Sequence, residues 1–364
     1  MLRGLASFGK VIAAAAAFAG VVPADTVRAE DKAPIPAGFF RLHAAVKLIG
    51  KAPDWDYLSY DPARGHLFIA RRDAGLWVYD TRRQRLLRRM AKTEGAGASL
   101  LIPTLGRGYA TNEDGSVTVF NLATLAPIRR VKFAADADAA SYDPVSGRIA
   151  FVSADSRRVT LMDARSLAVV GHLDLEAKKA DASVADGTGA ILLNERDRNM
   201  VARIDAATAK ITAEWPTNGC TQPTGLAYDA PDHRAFIGCR GAKPVLAVLN
   251  TDSGAVIATF DLGRGNDGVV YDRAHRRIVT TNGVEGNIVV FHQDDADHYR
   301  LEQAVTTRPS ARTMAYDAAG QRIFTVTAEG VVNPAQLVNA GPSAFYPNSY
   351  YDNTFTVLTY QISK

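Results

Sequence analysis

The sequence predicts an all-β fold: a seven-bladed β-propeller, closed by pairing of the N-terminal strand with the C-terminal strand in the last blade. Three observations carry this. A Tyr-Asp pair recurs every 41 to 45 residues, clear at Tyr60-Asp61, Tyr142-Asp143, Tyr228-Asp229, Tyr271-Asp272 and Tyr316-Asp317, with degenerate copies at Leu101-Ile102 and Ala185-Asp186. A second marker keeps step at Asp80, Asn121, Asp163, Asp205, Asn250 and His292, at intervals of 41, 42, 42, 45 and 42 residues. Within each unit, short apolar runs alternate with turn signals at roughly 8–12-residue spacing, which fits four strands per repeat and excludes alternating strands and helices.

The chain opens with Arg3 and Lys10, an apolar run from Val11 to Val22, and Val27-Arg28-Ala29 with small residues at the two positions that matter for cleavage. This predicts a secretory signal peptide over residues 1–29 and one propeller domain over 30–364. No later segment approaches the roughly 20 apolar residues of a membrane helix, so no membrane span is expected in the mature chain. The expected location is periplasmic or secreted, and the expected state is a monomer. Losing Arg3, Lys10, Arg28 and Asp25 takes the formal charge from +4 to +2. That near-neutral balance gives no support for nucleic acid as a partner. The one basic cluster is Arg82-Arg83 with Arg85 and Arg88-Arg89.

In the first unit, 56–60 reads as a short inner strand and 61–65 as a turn. Strands are expected at 66–70, 75–79 and 86–90, and the third unit repeats this at 139–142, 148–153, 159–162 and 167–173. The last unit supplies Tyr316, strand 322–326 and a C-terminal strand 354–361, but no fourth strand. Residues 44–50, which precede the first unit, are the surplus strand that completes it and hides two open edges. The gap from His292 to Tyr360 is 68 residues, well beyond one repeat of about 42. The excess falls between Ala328 and Asn353 and carries Phe345, Tyr346, Tyr350 and Tyr351, so an ordered lid over one face is expected.

Four residues before each Tyr-Asp marker stand Asp56, Gly97, Asp138, Asp181, Thr224, Asp267 and Arg312. This register starts each innermost strand, so these side chains should meet at one mouth of the central channel. Four carboxylates there could bind Ca2+ or another divalent cation, while Arg312 could clamp a ligand carboxylate. Capping of strand starts is the structural alternative. Cys220 and Cys239 fall on the same face; in an exported chain they should form a disulfide worth about 3 kcal/mol. No GxSxG, HExxH or phosphate loop is present, and none of the seven histidines pair at metal spacing.

The stretches DYLSYDPARGHLFIARRDAGLWVYD and CTQPTGLAYDAPDHRAFIGC resemble the YncE-like, YVTN-type family of exported seven-bladed propellers. The resemblance covers nearly the whole mature chain, including the last-blade insertion and the closing TFTVLTY strand. It implies a binding or scaffold protein, rather than an enzyme, whose partner is a small molecule, a cation or a periplasmic protein. The wider superfamily includes lactonases, so the alternative expectation is a metal-dependent lactonase-like hydrolase with its metal at the channel mouth. Those relatives use Glu and Asn ligands, whereas this register offers Asp, with only Asn266 nearby.

Overall fold

The computed structural model of the chain describes residues 38–51, 54–333, 335 and 346–362. The expected signal peptide and Phe345 lie outside the described residues. The chain divides into Met1–Pro36 and Ala37–Lys364, and the second unit holds every described strand. No described helix is long and apolar enough to cross a membrane.

Seven four-stranded antiparallel sheets follow one another along the chain. Blade one is Leu58–Asp61, His66–Ala70, Leu76–Asp80 and Arg85–Arg89; blade two is Ala96–Ile102, Arg107–Asn112, Ser116–Asn121 and Pro127–Lys132. Blades three to six repeat the order from Ala139–Asp143, Ala180–Ala185, Pro223–Asp229 and Asn266–Asp272 as inner strands. Blade seven joins Met314–Asp317, Arg322–Thr327 and Thr356–Ile362 to the N-terminal strand Phe40–Lys47, which pairs antiparallel with Thr356–Ile362.

That closing strand starts four residues earlier than expected and ends at Lys47. Phe40 sets its start: the ring is buried, stands 6.5 Å from Tyr316, and its backbone N–H and C=O both bond the Gln303 amide at 2.8 Å. Outward-facing Arg41 and His43 hide this anchor from an apolar count. Leu48 to Gly50 leave the ladder: Leu48 N–H donates to the Phe355 carbonyl at 2.7 Å, and Gly50 takes φ +140°.

The two sequence markers have separate structural jobs. Asp61, Asp143, Asp186 and Asp317 cap the turn after each inner strand by accepting backbone N–H groups, as Asp143 does from Ser146 at 2.7 Å. The tyrosine of the pair ties blades together: Tyr316 donates to Asp272 at 2.7 Å and Tyr271 to Asp229 at 3.1 Å, each reaching the preceding blade. Asp80, Asn121, Asp163, Asp205 and Asn250 each accept two backbone N–H groups in the turn before the outer strand. Four residues further on, Gln84, Leu125, Leu167, Ala209 and Gly254 all sit at φ between +53° and +73°. His292 makes no such turn; its ring stands 3.7 Å from Asp294.

The core lies between blades rather than within a single layer. Phe68, Val78, Ala110 and Phe120 fill the junction of blades one and two, and equivalent clusters fill the next five junctions. A seventh cluster, with Leu67, Trp77, Phe324 and Phe355, joins blade seven to blade one and closes the ring. The second and third strands are buried on both faces, which is why they read as unbroken apolar runs rather than alternating ones.

Candidate functional site

Each ring position lies where an inner strand begins. At Gly97, Thr224 and Asp267 the register skips one residue, and at Asp181-Ala182 it skips again, so these residues sit on β-bulges. A bulge frees a residue from the ladder and re-aims its side chain, for Asp181 and Asp267 toward the channel mouth.

The expected side chains do gather there, but arginines join them. Asp56 pairs with Arg72, whose other nitrogen reaches Glu113 at 3.1 Å. Asp267 lies between Arg312 at 3.2 Å and Arg240 at 3.4 Å. Asp181 accepts the Tyr57 hydroxyl at 2.8 Å and has Arg196 at 3.7 Å. Asp138 accepts the Ala154 N–H at 3.1 Å. Thr224 does not serve the mouth: it is fully buried, and its hydroxyl donates to the Gln222 carbonyl at 3.0 Å. Arg312 also donates to the Trp55 carbonyl and stands 5.4 Å above the Trp55 ring. Among the described residues no three His, Cys, Asp or Glu side chains group as a metal site requires. The mouth carboxylates face guanidinium groups instead.

Burial dominates the titration of these carboxyls. Asp56 is pushed up to about 7 by loss of water, against the pull of Arg72 and Arg312. Asp181 is likewise pushed up to about 7 by burial and by the nearby charge of Asp267, against Arg196 and Arg240. Burial raises Asp138 as well, offset in part by the Ala154 N–H. Near neutral pH Asp56 and Asp181 are thus only partly ionised beside their guanidinium neighbours.

Tyr57 crosses the ring from blade one to Asp181 on blade four. Beneath it the channel opens into a cavity of about 200 Å³ lined by small residues, Ala98, Ala139, Ala182, Gly225 and Gly268 among them. That volume suits a body of about one benzene ring. One guanidinium N–H at the mouth, Arg240 Nε, is buried without a hydrogen-bond partner.

The insertion reaches the same face. Its ends pair as a short ribbon, Gly330–Val331 with Ser349–Tyr350. The Tyr350 ring stands 4.7 Å from Trp55, Tyr346 lies close enough to act on Arg312, and Tyr351 is exposed. Cys220 and Cys239 form the expected disulfide at the head of blade five, with Cα atoms 5.5 Å apart.

Arg72, Arg196 and Arg240 were not among the expected site residues, yet a signal exists. Each follows the second strand of its blade, in register with Glu113, Ala154, Gly283 and Ala328. Tyr57 carries no comparable signal, because its partner is 124 residues away across the ring.

No protein-family profile matches the chain, and no curated protein matches it. Solved structures do. A chain of a mitotic checkpoint complex is 12% identical and superposes with TM-score 0.71, covering 97% of this chain and 100% of that one. A chain of Kuenenia stuttgartiensis hydrazine synthase is 14% identical with TM-score 0.65, covering 76% of this chain and 94% of that one. At such identity the likeness concerns fold alone.

Proposed function

We propose that the chain is an exported, non-enzymatic propeller of the YncE-like type. In this reading it binds a small organic acid on the face that carries the channel mouth and the 328–353 loop. The carboxylate lies against Arg196 and Arg240, and a compact apolar body occupies the small-residue cavity below. The observation that carries the reading is the orphaned Nε of Arg240, whose guanidinium stands 3.4 Å from Asp267, a residue of the cavity wall. A buried guanidinium N–H left unpaired costs about 1–3 kcal/mol, which a carboxylate oxygen recovers. Arg196 stands 3.7 Å from Asp181 and donates to the Gln222 side-chain oxygen at 3.3 Å, a neutral contact that it exchanges for the same carboxylate.

Calorimetric titration with single-ring carboxylic acids and their neutral amides tests this. The acids are expected to bind and the amides are not. Arg240→Gln should weaken acid binding roughly 10- to 100-fold. Replacing Asp138 and Asp267 together with Asn should preserve or strengthen it, because Arg240 and Arg312 lose a competing carboxylate. Binding of amines instead, abolished by that double replacement, would sink the anion reading and favour a cation site.

A further inference from the structure

The near-neutral total charge conceals a lopsided outer wall. The outer strands of three consecutive blades, Phe40–Lys47 of blade seven, Arg85–Arg89 of blade one and Pro127–Lys132 of blade two, carry eight Arg or Lys residues and no acid. Each remaining outer strand carries an acid: Asp174, Glu214, Asp261 and Glu302. Edge strands need charge to block edge-to-edge pairing, but either sign serves that purpose. Arg130 is ion-paired with Glu94 and Asp114, but the charge left on Arg85, Arg88 and Arg129 calls for another explanation.

The outer strands of blades one to six each break register at one residue. Blades one, two, three and five place an exposed aliphatic there, but only in blades one and two does an arginine follow it: Leu87 opposite Val78/Tyr79 and Ile128 opposite Val119/Phe120. Both bulge residues are turned outward, 40% and 51% exposed, and an arginine follows each at a matched position, Arg88 and Arg129. Arg85 and Arg129 form no ion pair among the described residues, and Arg88 reaches only the Thr124 carbonyl at 3.3 Å.

We infer that the outer wall of blades one and two, flanked by blade seven, docks on an anionic lipid bilayer. Arginines meet the headgroups, while Leu87 and Ile128 enter the boundary between headgroup and acyl chain. Exposed aliphatic side chains beside arginines fit a lipid interface, where apolar contact and attraction to acidic headgroups add. A single-stranded nucleic-acid surface would present aromatic rings for stacking, and these three strands present none that is exposed. This wall is separate from the channel mouth, so acid binding there is a distinct property.

Flotation with lipid vesicles tests the inference on the full chain. Vesicles of phosphatidylcholine alone are compared with vesicles containing about 30% phosphatidylglycerol, at about 50 mM and then about 500 mM salt. The chain is expected to float with the anionic vesicles at low salt and be released at high salt. Arg85→Glu, Arg88→Glu and Arg129→Glu combined should lower binding by at least about tenfold with an unchanged melting temperature. Leu87→Ser with Ile128→Ser should lower it about fivefold while the salt dependence persists. The apolar run at 11–22 is common to all variants and cannot produce these differences. Equal flotation with both vesicle types, or full binding by the charge-reversed variant, overturns the inference. So does duplex DNA binding of similar strength that ignores Leu87 and Ile128, which marks a general polyanion surface.

Discussion

Arg312→Leu is expected to destabilise the fold by about 3 kcal/mol, because it strips charge compensation from a buried group. Arg312 and Asp267 are each only 12% exposed and stand 3.2 Å apart. Arg312 also holds the Trp55 carbonyl and approaches Asp54 at 3.4 Å. It thereby ties the start of blade seven to the segment leading into blade one, at the seam where the ring closes. Asp267 keeps Arg240 as a partner at 3.4 Å, which places the loss at the lower end for a broken buried pair. In thermal unfolding the melting temperature should fall by roughly 4–5 °C. Adding Asp267→Asn should restore a large part of the loss, since no charge is then left uncompensated. Arg312→Lys should fall between, because an ammonium cannot reproduce the forked contacts. A loss below about 1 kcal/mol would show that the pair contributes no more than an exposed one.

Removing the disulfide by Cys220→Ser with Cys239→Ser should cost about 3 kcal/mol, given a sequence separation of 19. Both sulfurs are buried, so the replacement also places two hydroxyls among Leu226, Ile237 and Val245. The effect should extend to binding. Arg240 follows Cys239 directly, and the Arg240 N–H bonds the Gln222 carbonyl two residues after Cys220. Loosening that crosslink frees the head of blade five, and the affinity for carboxylic acids should drop several-fold along with stability. Unfolding with and without a thiol reductant, beside the double variant, measures both. Superimposable melting curves would mean that the bond restrains little.

Much of the fold was legible because a repeat reports itself. The Tyr-Asp pair and the Asx marker do jobs that recur in most blades, turn capping and, at Tyr271 and Tyr316, blade-to-blade bonding, so each recurs with the blade period. Counting back from Tyr-Asp then finds Asp56, Asp138, Asp181, Asp267 and Arg312 at the mouth. The same count also finds Thr224, whose side chain serves its own strand, because a register locates a position and not the direction of a side chain. The bulges that aim Asp181 and Asp267 leave no mark in composition. Arg72, Arg196 and Arg240 share a second register that is only partly filled, so it reads as scattered charge. The Tyr57 contact to Asp181 depends on ring closure itself. Of the basic wall, the sequence shows only the cluster at Arg82 to Arg89, because Phe40–Lys47 becomes the neighbour of Arg85–Arg89 only when the two ends of the chain meet.

The pH dependence of acid binding tests the central claim most directly. With Asp56 and Asp181 pushed up to about 7, both are protonated below that value; Asp181 then leaves Arg196 and Arg240 less balanced, and Asp56 does the same for Arg72 and Arg312. The dissociation constant of a single-ring carboxylic acid, itself ionised throughout, should therefore be lowest near pH 5.5 and rise about tenfold or more through pH 7 to 8.5. Asp181→Asn should flatten that profile at the tight end. An affinity that is constant across this range, or that strengthens as pH rises, would contradict an anion site governed by the mouth carboxyls.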